Sequence, residues 1–165
     1  MRTVRTRGYA DRMKNTFRIV PLPTETADAA RRSASNGAPA HQIVVADAPG
    51  SAPCRHCLRW AEPGERMILF PFQSIPADRP WTESGPIYVH QEPCERYAAT
   101  DEFPAAFREG RVLRQYDAQD ELTGAEVVDG DPTTAIERLL GDDNVAFVQV
   151  RSVTHGCYTM RVERA

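Results

Sequence analysis

The stretch from Pro53 to Cys94 constrains the fold more than any other part of the chain. It opens with P-C-R-H-C-L-R-W, continues through the apolar G-E-R-M-I-L-F-P-F and closes with G-P-I-Y-V-H-Q-E-P-C. Three of the four cysteines and two of the four histidines fall inside it. Cys54 and Cys57 have the two-residue gap that lets both sulfurs of a tight turn face one ion. His90 and Cys94 have a three-residue gap, also within reach of one ion, and Pro93 helps the chain turn between them. The run Met67-Ile68-Leu69-Phe70 predicts a strand over Glu65 to Phe72, buried on both faces and bounded by Pro63-Gly64 and Pro71. A second strand is expected from Pro86 to His90. If the two pair antiparallel, the start of the first lies beside the end of the second, and both ligand pairs meet at one sheet edge.

Three thiolates and one imidazole form a closed tetrahedral set of the kind structural zinc sites use, with no position left for water. Two other uses of Cys54, Cys57, His90 and Cys94 stay open at this point. The cysteines can pack as small buried hydrophobes, with His90 a hydrogen-bonded edge residue. Alternatively, a thiol- or metal-dependent enzyme would use Cys54 or Cys57 with His90. Cys54 would then cap a short helix to Ala61, its pKa lowered there and beside Arg55, with Cys57 as resolving thiol. The strand-helix-strand setting of thioredoxin-like chemistry is absent. His155 and Cys157 make a secondary cluster, sharing one face if they lie on a strand. Cys157 could replace His90 in a four-thiolate site or pair with His155 as nucleophile and base, and a buried cysteine beside a satisfied histidine is the plainer alternative. His41 and His56 have no partner identifiable from the sequence.

Elsewhere the order of elements is readable. Phe17 to Val20 reads as a strand stopped by Pro21 and Pro23. Thr24 stands as N-cap of a helix from Glu25 to Ser35, which Asn36-Gly37 ends. A strand follows over His41 to Ala46. Gln73 to Ser84, with Trp81, reads as a loop, either a lid over a functional surface or a segment packed down by its tryptophan. Pro104 to Glu109 suggests a short helix. Arg111 to Tyr116 and Thr123 to Val128 suggest a hairpin, and Asp131-Pro132 starts a helix with Ile136, Leu139 and Leu140 at core spacing, stopped by Gly141. Strands over Asn144 to Val150 and Gly156 to Val162 complete the chain. Strands and helices do not alternate strictly, so the expected class is α+β with a mainly antiparallel sheet.

At 165 residues the chain fits one domain, expected over 15–165, able to bury its own core. Residues 1–14 carry Arg2, Arg5, Arg7, Arg12 and Lys14 against Asp11 and read as a basic tail, or as an extension upstream of a start at Met13. The net charge of -3 leaves the remainder acidic, the wrong balance for a face that neutralises phosphates, which argues against nucleic acid as a partner. No apolar run approaches a membrane span or a secretory signal, so the cytoplasm is the expected location. In that reducing compartment the cysteines are free, redox-active or metal-bound. Edge strands of a small antiparallel sheet would suit a symmetric homodimer.

The segments P-C-R-H-C-L-R-W-A-E-P-G-E-R-M-I-L-F-P-F and G-P-I-Y-V-H-Q-E-P-C, with L-R-Q-Y-D and the closing G-C-Y-T-M-R-V-E-R, resemble the bacterial domain-of-unknown-function family numbered 1203. The resemblance covers about Phe17 to Arg164 and implies a single-domain bacterial protein. It carries no activity and no catalytic residues, so the chemistry rests on residue spacing. The reading that follows is a small binding or accessory module with a zinc-type site.

Overall fold

Glycine, proline and the apolar runs divide the chain much as their chemistry dictates. The computed structural model describes residues 16–165. The basic tail expected over 1–14, and the choice between Met1 and Met13, lie outside the described residues. The elements are β1 (Phe17–Val20), α1 (Thr24–Ser35), β2 (Gln42–Val45), β3 (Arg66–Ile75), β4 (Glu83–His90), β5 (Arg111–Tyr116), β6 (Leu122–Val128), α2 (Thr133–Leu140), β7 (Phe147–Ser152) and β8 (Tyr158–Arg164). Every strand pairing is antiparallel, in keeping with an α+β class rich in strand. The strands form two sheets rather than the one expected, a larger one ordered β1-β8-β7-β5-β6 and a smaller one ordered β2-β3-β4.

Each sheet has its own helix. In α2, Ile136, Leu139 and Leu140 recur at helical spacing and pack with Phe17, Leu113, Val148, Val150 and Met160 of the large sheet. In α1 the inward positions are Ala27, Ala30 and Ala34, whose small side chains bring the helix close to Met67, Ile68, Phe70 and Val89 of the small sheet. The sheets are tied together at Glu83, which accepts a hydrogen bond from Arg114 at 3.0 Å and another from Arg151.

Several sequence expectations need correction. Pro23, not Thr24, occupies the N-cap of α1, and no side chain caps it, because the Thr24 hydroxyl is spent on His56. The expected loop from Gln73 to Ser84 shrinks to residues 76–82, because β3 runs to Ile75 and β4 begins at Glu83. Trp81 there is 50% exposed and does not pin the loop. The helix expected from Pro104 is a single 3₁₀ turn, Ala105–Phe107. Residues 55–57 form a turn, so no helix follows Cys54 and the helix-activated thiol loses its premise. The last strands sit a few residues later than expected, leaving His155 and Cys157 in the connection before β8.

Candidate metal centre

A tight turn delivers the first ligand pair. Leu58 donates its amide to the Cys54 carbonyl at 3.1 Å, and Cys54 donates to the Arg59 carbonyl at 2.9 Å. Closing the turn puts Leu58 at φ 52°, a left-handed conformation that a non-glycine residue adopts at some cost. Cys54 bridges Tyr88 of β4, and the Arg55 amide donates to the Tyr88 carbonyl at 2.9 Å. The turn is thereby laid against β4 two residues before His90.

The β3–β4 hairpin delivers the second pair. Met67 faces His90 in the register, so the start of β3 and the end of β4 are neighbours, as the sequence required. Before β3, Glu62 to Glu65 make a turn closed at 3.0 Å, with Pro63 and then Gly64 at φ 92°, a conformation glycine adopts freely. This turn sets Glu65 beside His90. Beyond β4 the chain bends through Pro93 to Cys94, and the Tyr97 amide ties it to the His56 carbonyl at 3.0 Å.

One potential ligand atom from each of Cys54, Cys57, His90 and Cys94 lies within 4.8 Å of the others. The Cys54 and Cys94 sulfurs are 3.9 Å apart, and the Cys57 sulfur is 3.5 Å from His90 Nδ1. His90 turns its other nitrogen outward, where Nε2 donates to Glu65 Oε2 at 3.3 Å. Glu65 is itself held by a fork from Arg59, 2.9 Å to each carboxylate oxygen, and by the Glu62 amide at 2.7 Å. All four cysteines of the chain are free of disulfides.

The electrostatics favour positive charge at the centre. Hydrogen bonds from Cys57 and then Cys94 push the Cys54 thiol far down, against the opposing effect of burial. Cys57, which gives the proton that serves Cys54, is pushed up. Burial pulls His90 down, but its bonds to Cys54 and Cys94 prevail and raise it to about 9. A proton on His90 thus answers the charge on Cys54, and a divalent cation would displace it.

Three supporting residues escaped the sequence reading. His56 is buried, with Nδ1 3.3 Å from the Cys94 sulfur and Nε2 3.0 Å from the Thr24 hydroxyl. Burial lowers its pKa, so a neutral ring taking a hydrogen bond from Thr24 can donate Nδ1–H to Cys94. Arg31 of α1 approaches the Cys94 sulfur at 3.7 Å and donates to the His90 carbonyl at 3.1 Å, its charge met by Asp28 at 2.7 Å. Glu65 is the third. The only available signal was position, His56 between the two cysteines and Glu65 at the turn before β3.

The secondary cluster does not join the centre. Cys157 donates toward the His155 backbone carbonyl at 3.9 Å, while the His155 ring faces the Thr154 hydroxyl at 3.0 Å. No hydrogen bond joins the two side chains among the described residues. His41 stacks on Phe70, with centroids 5.5 Å apart, away from the cysteines.

Among known proteins, the family described as Protein of unknown function (DUF1203) matches residues 51–164. The matched segment contains the four clustered residues together with His56 and Glu65, and begins after β1, α1 and β2. No curated protein and no solved structure matches. No helix among the described residues is long and apolar enough to cross a membrane.

Proposed function

The chain belongs to this family of unknown function, and we propose that Cys54, Cys57, His90 and Cys94 hold one zinc ion structurally in a small binding or accessory module. The observation that carries the reading is the spacing of the four ligand atoms. With zinc–sulfur bonds of about 2.3 Å and zinc–nitrogen bonds of about 2.0 Å, tetrahedral angles separate two sulfurs by about 3.8 Å and a sulfur and a nitrogen by about 3.5 Å. Two of the six separations, 3.9 Å for Cys54–Cys94 and 3.5 Å for Cys57–His90, match that arrangement, and the rest lie within 4.8 Å. The Glu65–His90 contact supports it further, because a ligating histidine usually gives its second N–H to a carboxylate, leaving the first nitrogen free for the metal. Four protein ligands complete the coordination, so the ion would hold the hairpin edge, the cysteine turn and the Cys94 segment together without reacting. An enzymatic use would require an open position or a reactive thiol; Cys54 is fully buried, which leaves the partly exposed Cys57 as the thiol that use would need.

Elemental analysis of protein purified without an affinity tag tests the reading, together with a count of reactive thiols under native conditions. About one zinc per chain is expected, with Cys54, Cys57 and Cys94 unreactive until a chelator is added and the melting temperature lowered on chelation. Absence of metal with several reactive thiols would sink the proposal. Rapid alkylation of Cys54, Cys57 or Cys94 in an intact fold would favour the thiol enzyme instead, whereas Cys157 lies outside the cluster and its reactivity does not bear on the choice.

A further inference from the structure

Between the two sheets lies a cleft of about 350 Å³, within the size range of small-molecule sites. Leu69 and Tyr88 line it from the small sheet, Arg111 and Thr159 from the large one, and Arg55 and Trp60 from the cysteine turn and its continuation. No aspartate or glutamate lines it among the described residues.

The two arginines are the unusual feature. Arg55 is 3% exposed and Arg111 8%, yet neither meets a carboxylate among the described residues. Arg55 spends Nε on the Tyr158 carbonyl at 2.8 Å and Nη1 on the Pro53 carbonyl at 2.5 Å, which leaves Nη2. Among the described residues Arg111 spends only Nε, on the Phe107 carbonyl at 2.9 Å, and its guanidinium lies 5.2 Å from the Phe107 ring centre. Arg151 shows what a satisfied buried arginine looks like in this fold, with Glu83, Gln149 and the Gly156 carbonyl as partners. Among the described side chains the only sealed, unpartnered polar atom is His41 Nδ1. The spare guanidinium nitrogens of Arg55 and Arg111 therefore reach open space, and the space both residues line is the cleft.

We propose that this cleft binds a small organic oxyanion, its carboxylate or phosphate taken by Arg55 and Arg111 and its apolar body lying along Trp60 and Leu69. Planar guanidinium groups suit either oxyanion. Trp60 is a fixed wall, since its indole donates to the Ala106 carbonyl at 3.0 Å and its ring packs 5.3 Å from Phe107. The proposal does not rest on the zinc reading, because the arginines are held by carbonyl groups and by Phe107. Metal content measured on the same samples separates the fates of the two.

Trp60 reports occupancy. The chain has two tryptophans, and Trp81 lies outside the cleft, so Trp81→Phe leaves Trp60 as the sole indole. Phenyl phosphate, benzoate and neutral phenol are titrated against this protein. At least one anion should change the fluorescence saturably while phenol does not, and the better anion identifies the oxyanion. Arg111→Gln should weaken that anion at least about tenfold, through loss of charge-assisted bonds. Failure of both anions to saturate, or equal binding by Arg111→Gln, overturns the proposal. Should that variant not fold, alkylation of Cys157 by iodoacetamide in otherwise unaltered protein decides, because Cys157 lines the cleft. The bound anion should slow it, and an unchanged rate at saturation overturns the proposal equally.

Discussion

Replacing Glu65 with glutamine should weaken zinc binding about tenfold and leave the fold intact. The carboxylate touches the proposed ion only through His90, accepting from Nε2 at 3.3 Å. Removing such an outer partner costs about 10–100-fold in metal affinity. Two observations place Glu65 at the low end. Its side chain is 34% exposed, so water already shares the work, and the bond is longer than the roughly 2.7–2.9 Å of a strong charge-assisted contact. Tenfold corresponds to about 1.4 kcal/mol. Glutamine can still accept the His90 proton through its amide oxygen, but it brings no charge and spoils one arm of the Arg59 fork.

The pH dependence sharpens the test. Hydrogen bonds from Arg59 and then from the Glu62 amide hold Glu65 at about 2, below its ordinary 4.5. A depressed carboxylate contributes fully above its ordinary value, and the contribution is lost as pH falls through about 2. Thiolate ligands take up protons and release metal at far higher pH. Glu65→Gln and the parent protein should therefore differ by a constant factor between about pH 6 and pH 8 in competition with a chromophoric chelator. An unchanged dissociation constant would reduce Glu65 to a surface partner of Arg59. A ratio that varies across this window would refute the assignment of its charge.

The ligand set itself is separable by substitution. Cys94→Ser should abolish stoichiometric zinc, whereas Cys157→Ser should retain it, as elemental analysis would register, because Cys157 lies outside the cluster. The junction between sheets offers a stability test. Glu83→Gln strips Arg151, whose side chain is 4% exposed, of its only carboxylate among the described residues, and should cost about 3 kcal/mol in urea unfolding. Arg114→Gln removes the more exposed arm of the same network and should cost less than about 1 kcal/mol.

The ligand pairs were legible because spacing and strand order are local properties. Cys54 and Cys57 need only a tight turn, and the pairing of Met67 with His90 follows once the runs on either side of Pro71 and Pro86 are taken as neighbouring strands. Pro71 and Phe72 misled the boundary, since proline normally ends a central strand. β2 reaches only from Arg66 to Leu69 of β3, so beyond that point no described strand covers this edge of β3, and Pro71 is tolerated opposite Pro86. Gln73 then carries the strand onward, its side chain donating to Thr82 at 3.0 Å and to the Glu83 carbonyl at 3.2 Å. Thr24 shows the opposite failure. Its place before the helix is the mark of a cap, but His56, distant in sequence, takes its hydroxyl. Arg31 was equally silent, and Arg55 was read only as a charge beside Cys54, since their roles depend on strands and turns brought together only by the fold.

The cysteine turn faces two ways, and that arrangement gives a nonreactive ion a reason to matter. Arg55 stands between Cys54 and Cys57, with its backbone fixed on both sides by the Tyr88 carbonyl and the Leu22 amide, each at 2.9 Å. Its neighbours' sulfurs meet His90 and Cys94, while its own guanidinium lines the cleft. The turn includes Leu58 at a positive φ, a conformation that persists only where its surroundings over-determine it. Zinc would supply that constraint, so chelation should weaken the affinity of the cleft for its oxyanion even though no zinc ligand touches the anion. Linkage makes the effect reciprocal, with the anion tightening zinc by the same factor that zinc tightens the anion. Titrating phenyl phosphate or benzoate, whichever binds, into metal-loaded protein and into partly chelated protein that retains its fold measures the first factor. Chelator competition with and without that anion measures the second. Equal factors above one place the coupling in the turn. A factor of one in both directions means that the carbonyl and amide bonds around Arg55 hold it unaided, and that the ion serves the hairpin edge alone.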